Sequence, residues 1–131
     1  MTIALDRPRV EEIARAATEL PITEIAAYLQ AQLGQKITAY ISGIKDAKLV
    51  GQWKTGAVVP RDLAMIRLRN AYHATRLIVE AYGKDTAKAW FFGSNTRLND
   101  QAPGYLLRHA KTLESLPNIV SVAKAFAGST D

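Results

Sequence analysis

SGIKDAKLVGQWKTGAVVPR, residues Ser42–Arg61, decides how this chain is read. A glycine follows a short helix-like run, "IKD" breaks it, and "AKLVGQWKTG" forms a second compact run before Pro60. Val50 and Trp53 stand three apart and share one helical face, while Lys48, Gly51, Gln52 and Thr55 fall on the other. That is the pattern of a helix-turn-helix, in which one helix braces the backbone and the next presents its solvent face to a DNA groove. "QKITAYISG" serves as the brace, with the small Ala39 at the crossing point. Gln52 has the chemistry for a bidentate contact to adenine, and Lys48 reaches guanine or phosphate. Lys45, Lys54, Arg61, Arg67 and Arg69 stand around them as phosphate contacts. Gly51 would let the backbone approach DNA closely. The competing reading is a helical corner with a solvated basic face. From Gly43 to Trp53 there is also one residue more than in the usual repressor spacing.

Outward from this stretch the pattern is helical throughout. Val10, Ile13, Ala14 and Ala17 predict a helix over 7–20, closed by Pro21. Ile25, Ala26, Leu29 and Leu33 predict one over 22–33, stopped by Gly34. A short helix spans 36–42. Asp46 is the expected N-cap of a helix over 47–55. Pro60 fits the first turn of a long helix reaching Tyr82. That helix carries two apolar stripes. One holds Leu63, Ile66, Ala74, Leu77, Ile78 and Ala81; the other holds Met65, Leu68, Tyr72, Val79 and Tyr82. A helix apolar on two sides must be covered on two sides. We expect it to be the spine of the fold, covered by the N-terminal helices on one flank and by the C-terminal part or a second copy on the other. The second possibility makes a homo-oligomer the expected state. Further helices are expected over 85–92, 105–111 and 115–127, with Pro117 in the first turn of the last and "TRLNDQAPGY" as a loop. The reading is an all-α chain in four parts: an N-terminal extension (1–21), a helix-turn-helix part (22–59), the spine (60–83) and a C-terminal part (84–131).

Composition narrows the function. The 131 residues carry a formal net charge of +5, which suits a polyanionic partner. There is no cysteine, which removes disulfides and thiolate metal sites. The start turns charged at Asp6 without an apolar core segment, and no run approaches the roughly 20 apolar residues of a membrane span. A cytoplasmic protein with no membrane partner is expected. His73 and His109 are the only histidines and are not clustered with acids, so no metal and no cofactor are expected. Ser42 and Ser115 have no base nearby in sequence, and no phosphate loop or GxGxxG occurs, so an enzyme is not expected. The aromatic run at Trp90, Phe91 and Phe92 reads both as core and as a partner surface. In the last helix, Ile119, Val122, Ala123 and Phe126 form an apolar stripe flanked by Lys124. It could dock in a partner's groove or cap the spine.

The order of these motifs carries a resemblance. "QWKTG" and "VVPR" are followed by "RLRNAYHATRLIVEAYG", "AWFFGSNTRLNDQAPGYLL" and "NIVSVAKAFAG". The chain from Ile22 to Gly128 resembles the Xre/MbcA/ParS family of antitoxins, the most specific element being Trp90, Asn95, Leu98 and Pro103 at W-x4-N-x2-L-x4-P spacing. The resemblance implies an Xre/Cro-like N-terminal part that reads an operator through Lys48, Gln52 and Thr55 and represses the chain's own operon. It implies a C-terminal part that binds a RES-domain, NAD-degrading toxin. Trp90, Asn95, Leu98 and Pro103 would shape that part. Val122, Lys124, Phe126 and Gly128 would belong to the binding segment, and the chain's end would occlude the toxin's active site. The alternatives are a stand-alone Xre/Cro-type repressor with no toxin partner, and an adaptor that only forms helical contacts.

Overall fold

The computed structural model describes residues 5–112 and 118–128. Over those residues the chain is all-α, with eight α-helices, one 3-10 turn and no strand. The order is α1 (Arg7–Glu19), α2 (Ile22–Leu33), α3 (Gln35–Ser42), α4 (Lys48–Thr55), α5 (Asp62–Tyr82), α6 (Lys84–Phe92), the 3-10 turn Thr96–Leu98, α7 (Pro103–His109) and α8 (Ile119–Phe126).

Local chemistry sets most of these boundaries. The Asp6 carboxylate accepts the Arg9 N–H at 2.9 Å and starts α1. Gly43, at φ +86°, ends α3 in the left-handed conformation. A Cβ there would also lie 2.5 Å from Arg67 Nη1, so the turn admits little but glycine. Several expected boundaries move, two of them at prolines. The spine begins at Asp62 rather than Pro60, and Pro60 is buried just ahead of it. Helix α7 begins at Pro103, two residues earlier than expected, because proline suits a first turn that needs no N–H donor. The expected start of the last helix at Ser115, and Pro117 within it, lie outside the described residues.

Helix α5 is the spine. Helices α1, α2 and α3 pack on it from one part of the chain, and α6 and α8 from the other. Leu68, Tyr72, Leu77 and Ile78, drawn from both stripes, are each at most 2% exposed. One hydrophobic core runs from Leu5 to Ala127. The stripe of α8 therefore caps the spine: Ile119, Val122 and Ala123 are buried against it, and only Phe126 remains largely exposed. Helix α4 packs on α2 and α3 through Val50 and Trp53, the two residues expected to face inward.

Arginines tie the helices together at their ends. A helix C-terminus carries unpaired carbonyls and a partial negative charge, so a guanidinium placed there is stabilising. Arg69 Nη1 donates to the carbonyls of Ala17, Thr18 and Leu20 at the end of α1. Arg67 donates to Ser42 O at the end of α3 and to Leu107 O and Ala110 O at the end of α7. Arg108 Nη1 donates to Tyr40 O and Ile44 O. Burial first, then the charge of Arg108, holds the Arg67 pKa below its ordinary value. Arg67 and Arg69, expected as phosphate contacts, are therefore bonded within the fold. Further along, Arg9 joins α1 to Glu80 of α5 at 2.7 Å.

Candidate functional site

The first candidate is the outward face of α4. Lys48, Gln52, Lys54 and Thr55 are all exposed, as is Arg61 beyond the helix. Lys48, Gln52 and Thr55 are spaced by four and three residues and form one stripe along the helix. Helix α4 begins at Lys48 with Ala47, not the expected Asp46, at its N-cap position; the Asp46 side chain accepts the Lys48 N–H at 3.0 Å from one residue earlier. Gln35 Nε2 donates to Ala47 O at 2.6 Å and ties the front of α3 to the front of α4. The Thr55 hydroxyl donates to Gln52 O at 3.2 Å, so it already serves the helix end. Gly51 has nothing within 4 Å of where a Cβ would sit. Lys45 is not part of this stripe. It lines a cleft on the other side of the turn, with Lys36, Tyr40 and Arg108.

The second candidate is a cleft of about 480 Å³ between α6, the loop after it and α8. It brings together Trp90, Asn95, Val122 and Phe126 from the expected set. Phe126 is 41% exposed and stacks obliquely on Tyr82 at 5.2 Å and Trp90 at 6.5 Å. Trp90 is 7% exposed, and its indole Nε1 is buried with no hydrogen-bond partner. The Asn95 side chain accepts the Arg97 N–H at 3.0 Å and caps the 3-10 turn. Its carbonyl accepts the N–H groups of Leu98 and Asp100. Asn95 thus fixes the loop that forms one wall.

The other expected residues lie away from the cleft surface. Leu98 and Pro103 are buried and act as packing under the loop. Beside Pro103, Gly104 touches α6 so closely that a Cβ would lie 2.8 Å from Phe91 O. Lys124 is half-buried, and its charge, after burial, lowers the pKa of His73 on α5. Gly128 is exposed, and its N–H donates to Ala125 O at 3.2 Å. Residues 129–131, expected to enter a partner's pocket, lie outside the described residues. The aromatic run divides: Trp90 and Phe91 are buried and Phe92 is 49% exposed.

Sequence reasoning missed Thr86, Ser94 and Arg97 on the wall of the second cleft. It also missed Lys36, Tyr40 and Arg108 around Lys45. Only Arg97 carried a signal, as a cation next to the Asn95 cap. Ser42 is buried and its hydroxyl donates to Ala39 O at 2.9 Å, so it packs rather than reacts; Ser115 lies outside the described residues. Among the described residues no group of three His, Cys, Asp or Glu could hold a metal, and no helix is long and apolar enough to cross a membrane. Compared with protein-family models, curated proteins and solved structures, the chain gives no match.

Proposed function

We propose that this chain is an antitoxin of the Xre/MbcA/ParS kind, a binding protein rather than an enzyme, that neutralises a RES-domain, NAD-degrading toxin by direct contact. The observation that carries the reading is the cleft in which Trp90, Asn95, Val122 and Phe126 meet, although they come from separate segments of the sequence. An exposed Phe126 ring set beside the buried Trp90 ring is suited to anchoring a partner segment. Occlusion by the chain's end is part of the proposal. The test is NAD turnover by a purified RES-domain toxin, measured with wild-type protein and with Phe126→Ser and Arg97→Glu. Inhibition by wild type and its loss in both variants is the expected result. Undiminished inhibition by both would move the contact elsewhere.

The same chain is proposed to repress its operon through α4, on the support of the exposed Lys48–Gln52 stripe. Because that stripe is independent of the second cleft, it also favours the second reading, a stand-alone repressor with no toxin partner. Gel shifts on upstream DNA at two salt concentrations test it. Lys48→Ala should weaken binding across sequences, and Gln52→Ala should relax preference at one base by about 1–3 kcal/mol. No shift at low salt would remove the repressor function and leave neutralisation standing.

A further inference from the structure

Helix α3, the turn after it and the end of α7 line an open, shallow cleft of about 500 Å³. Its charged wall residues are Lys36, Lys45 and Arg108, all cations, with the Tyr40 ring among them. The Arg108 guanidinium lies over that ring, 4.8 Å from its centre. One of its nitrogens, Nη1, serves the carbonyls of Tyr40 and Ile44. Among the described residues, its other N–H groups, the Lys36 and Lys45 ammoniums and the Tyr40 hydroxyl have no hydrogen-bond partner, and none of the three cations is paired with a carboxylate. Asp46 is the neighbouring acid in sequence, and its side chain accepts the Lys48 N–H.

Helix capping explains why an arginine stands at the end of α3. It does not explain two lysines and a hydroxyl around the same cleft with no side-chain bonds among the described residues. Gathering like charges without a counter-charge is costly, and the cost falls when an anion with several acceptor oxygens enters. We propose that this cleft is a phosphate site, in which Lys36, Lys45, Arg108 and the Tyr40 hydroxyl hold the phosphate of a nucleotide or of a nucleic-acid backbone. Arg108 supplies a rigid planar donor, while the lysines supply mobile point charges. The site stands apart from the toxin cleft. It also gives Lys45 a role separate from the α4 stripe, and brings a C-terminal residue, Arg108, to the edge of the helix-turn-helix.

The test is an amide NMR titration of the full chain with three probes: inorganic pyrophosphate, adenosine diphosphate and a short DNA duplex. The variants are Lys36→Gln/Lys45→Gln, which breaks no hydrogen bond among the described residues, and Lys48→Gln on the α4 stripe as a control. Saturable shifts centred on residues 36–47 and 105–110 are expected, weakened about tenfold or more by the double variant and little changed by the control with the small probes. Binding of the two small probes would identify a nucleotide-type ligand. Binding of the duplex alone, with the same loss in the double variant, would identify a backbone phosphate. Absence of saturable binding by all three, or equal weakening of the small probes by Lys48→Gln and the double variant, would overturn the proposal.

Discussion

At the scale of single residues, two positions report on different things. Gly51 sits inside α4 with open space where a side chain would go. Alanine there should raise stability by about 1 kcal/mol, because glycine is the poorer helix former. If the glycine is kept so that α4 can approach DNA closely, Gly51→Ala will melt higher and bind more weakly. A thermal melt and a gel shift on the same sample show whether both changes occur. His73 reports on pH. Its pKa in the folded protein lies below the usual 6.5, first through burial and then through Lys124, and its Nε2 is buried without a partner. The unfolded chain therefore binds the proton more readily. The histidine's contribution to stability is intact above about pH 6.5 and is lost as pH falls from there to the folded pKa. Urea midpoints measured from pH 7.5 down to 5 should fall in wild type and fall less steeply in His73→Leu.

At the scale of elements, α8 has two jobs that the sequence could not separate. A stripe of Ile119, Val122, Ala123 and Phe126 reads identically whether it docks on a partner or on its own spine. The fold assigns the first three to α5 and leaves the ring of Phe126 at the cleft. Truncation after Asn118 should therefore expose the core along α5 and lower the melting temperature, since losing several buried aliphatic side chains costs more than about 3 kcal/mol. Phe126→Ser should keep the wild-type circular dichroism. A truncated protein that melts like wild type would mean that α8 is dispensable to the core. Helix positions were legible because apolar residues recur at helical spacing and glycines punctuate them. The arginine roles were not. Arg67 bonds a carbonyl 40 residues away, and nothing local distinguishes such an arginine from one facing solvent. The same applies to the cleft around Trp90, whose walls come from α6 and α8 and meet only after folding.

For the whole molecule, the covered spine changes the argument about self-association. A second copy was expected because α5 is apolar on two sides. Helices of the same chain cover Leu68, Tyr72, Leu77 and Ile78 instead. The remaining apolar exposure near the spine's beginning is Val58 and Val59, the latter 63% exposed, next to half-buried Leu63, Met65 and Ile66. An oligomer built on the apolar stripes at the start of the spine would use that end. Light scattering should show association in wild type that Val59→Asp abolishes. A monomeric wild type would retire the oligomer and leave any paired reading of DNA to be arranged by the DNA itself.

The division of labour among the cations has a chemical consequence. Arg67, Arg69 and Arg108 tie helix ends into the fold, while the side-chain ammoniums of Lys36, Lys45, Lys48 and Lys54 are exposed and bonded to nothing among the described residues. The cations that bond helix-end carbonyls are thus arginines, while the surface charge is shared by lysines and by exposed arginines such as Arg61 and Arg97. Acylating reagents, or an enzyme that acetylates lysine, can neutralise the surface set one amine at a time without loosening the fold. A guanidine-directed reagent such as phenylglyoxal modifies the cross-links as well as the exposed arginines. Acetylation should erase the salt-sensitive retention of the protein on an anionic column and leave its melting temperature close to that of untreated protein. Phenylglyoxal should lower the melting temperature, and equal thermal sensitivity to both reagents would show that the two sets are not separate.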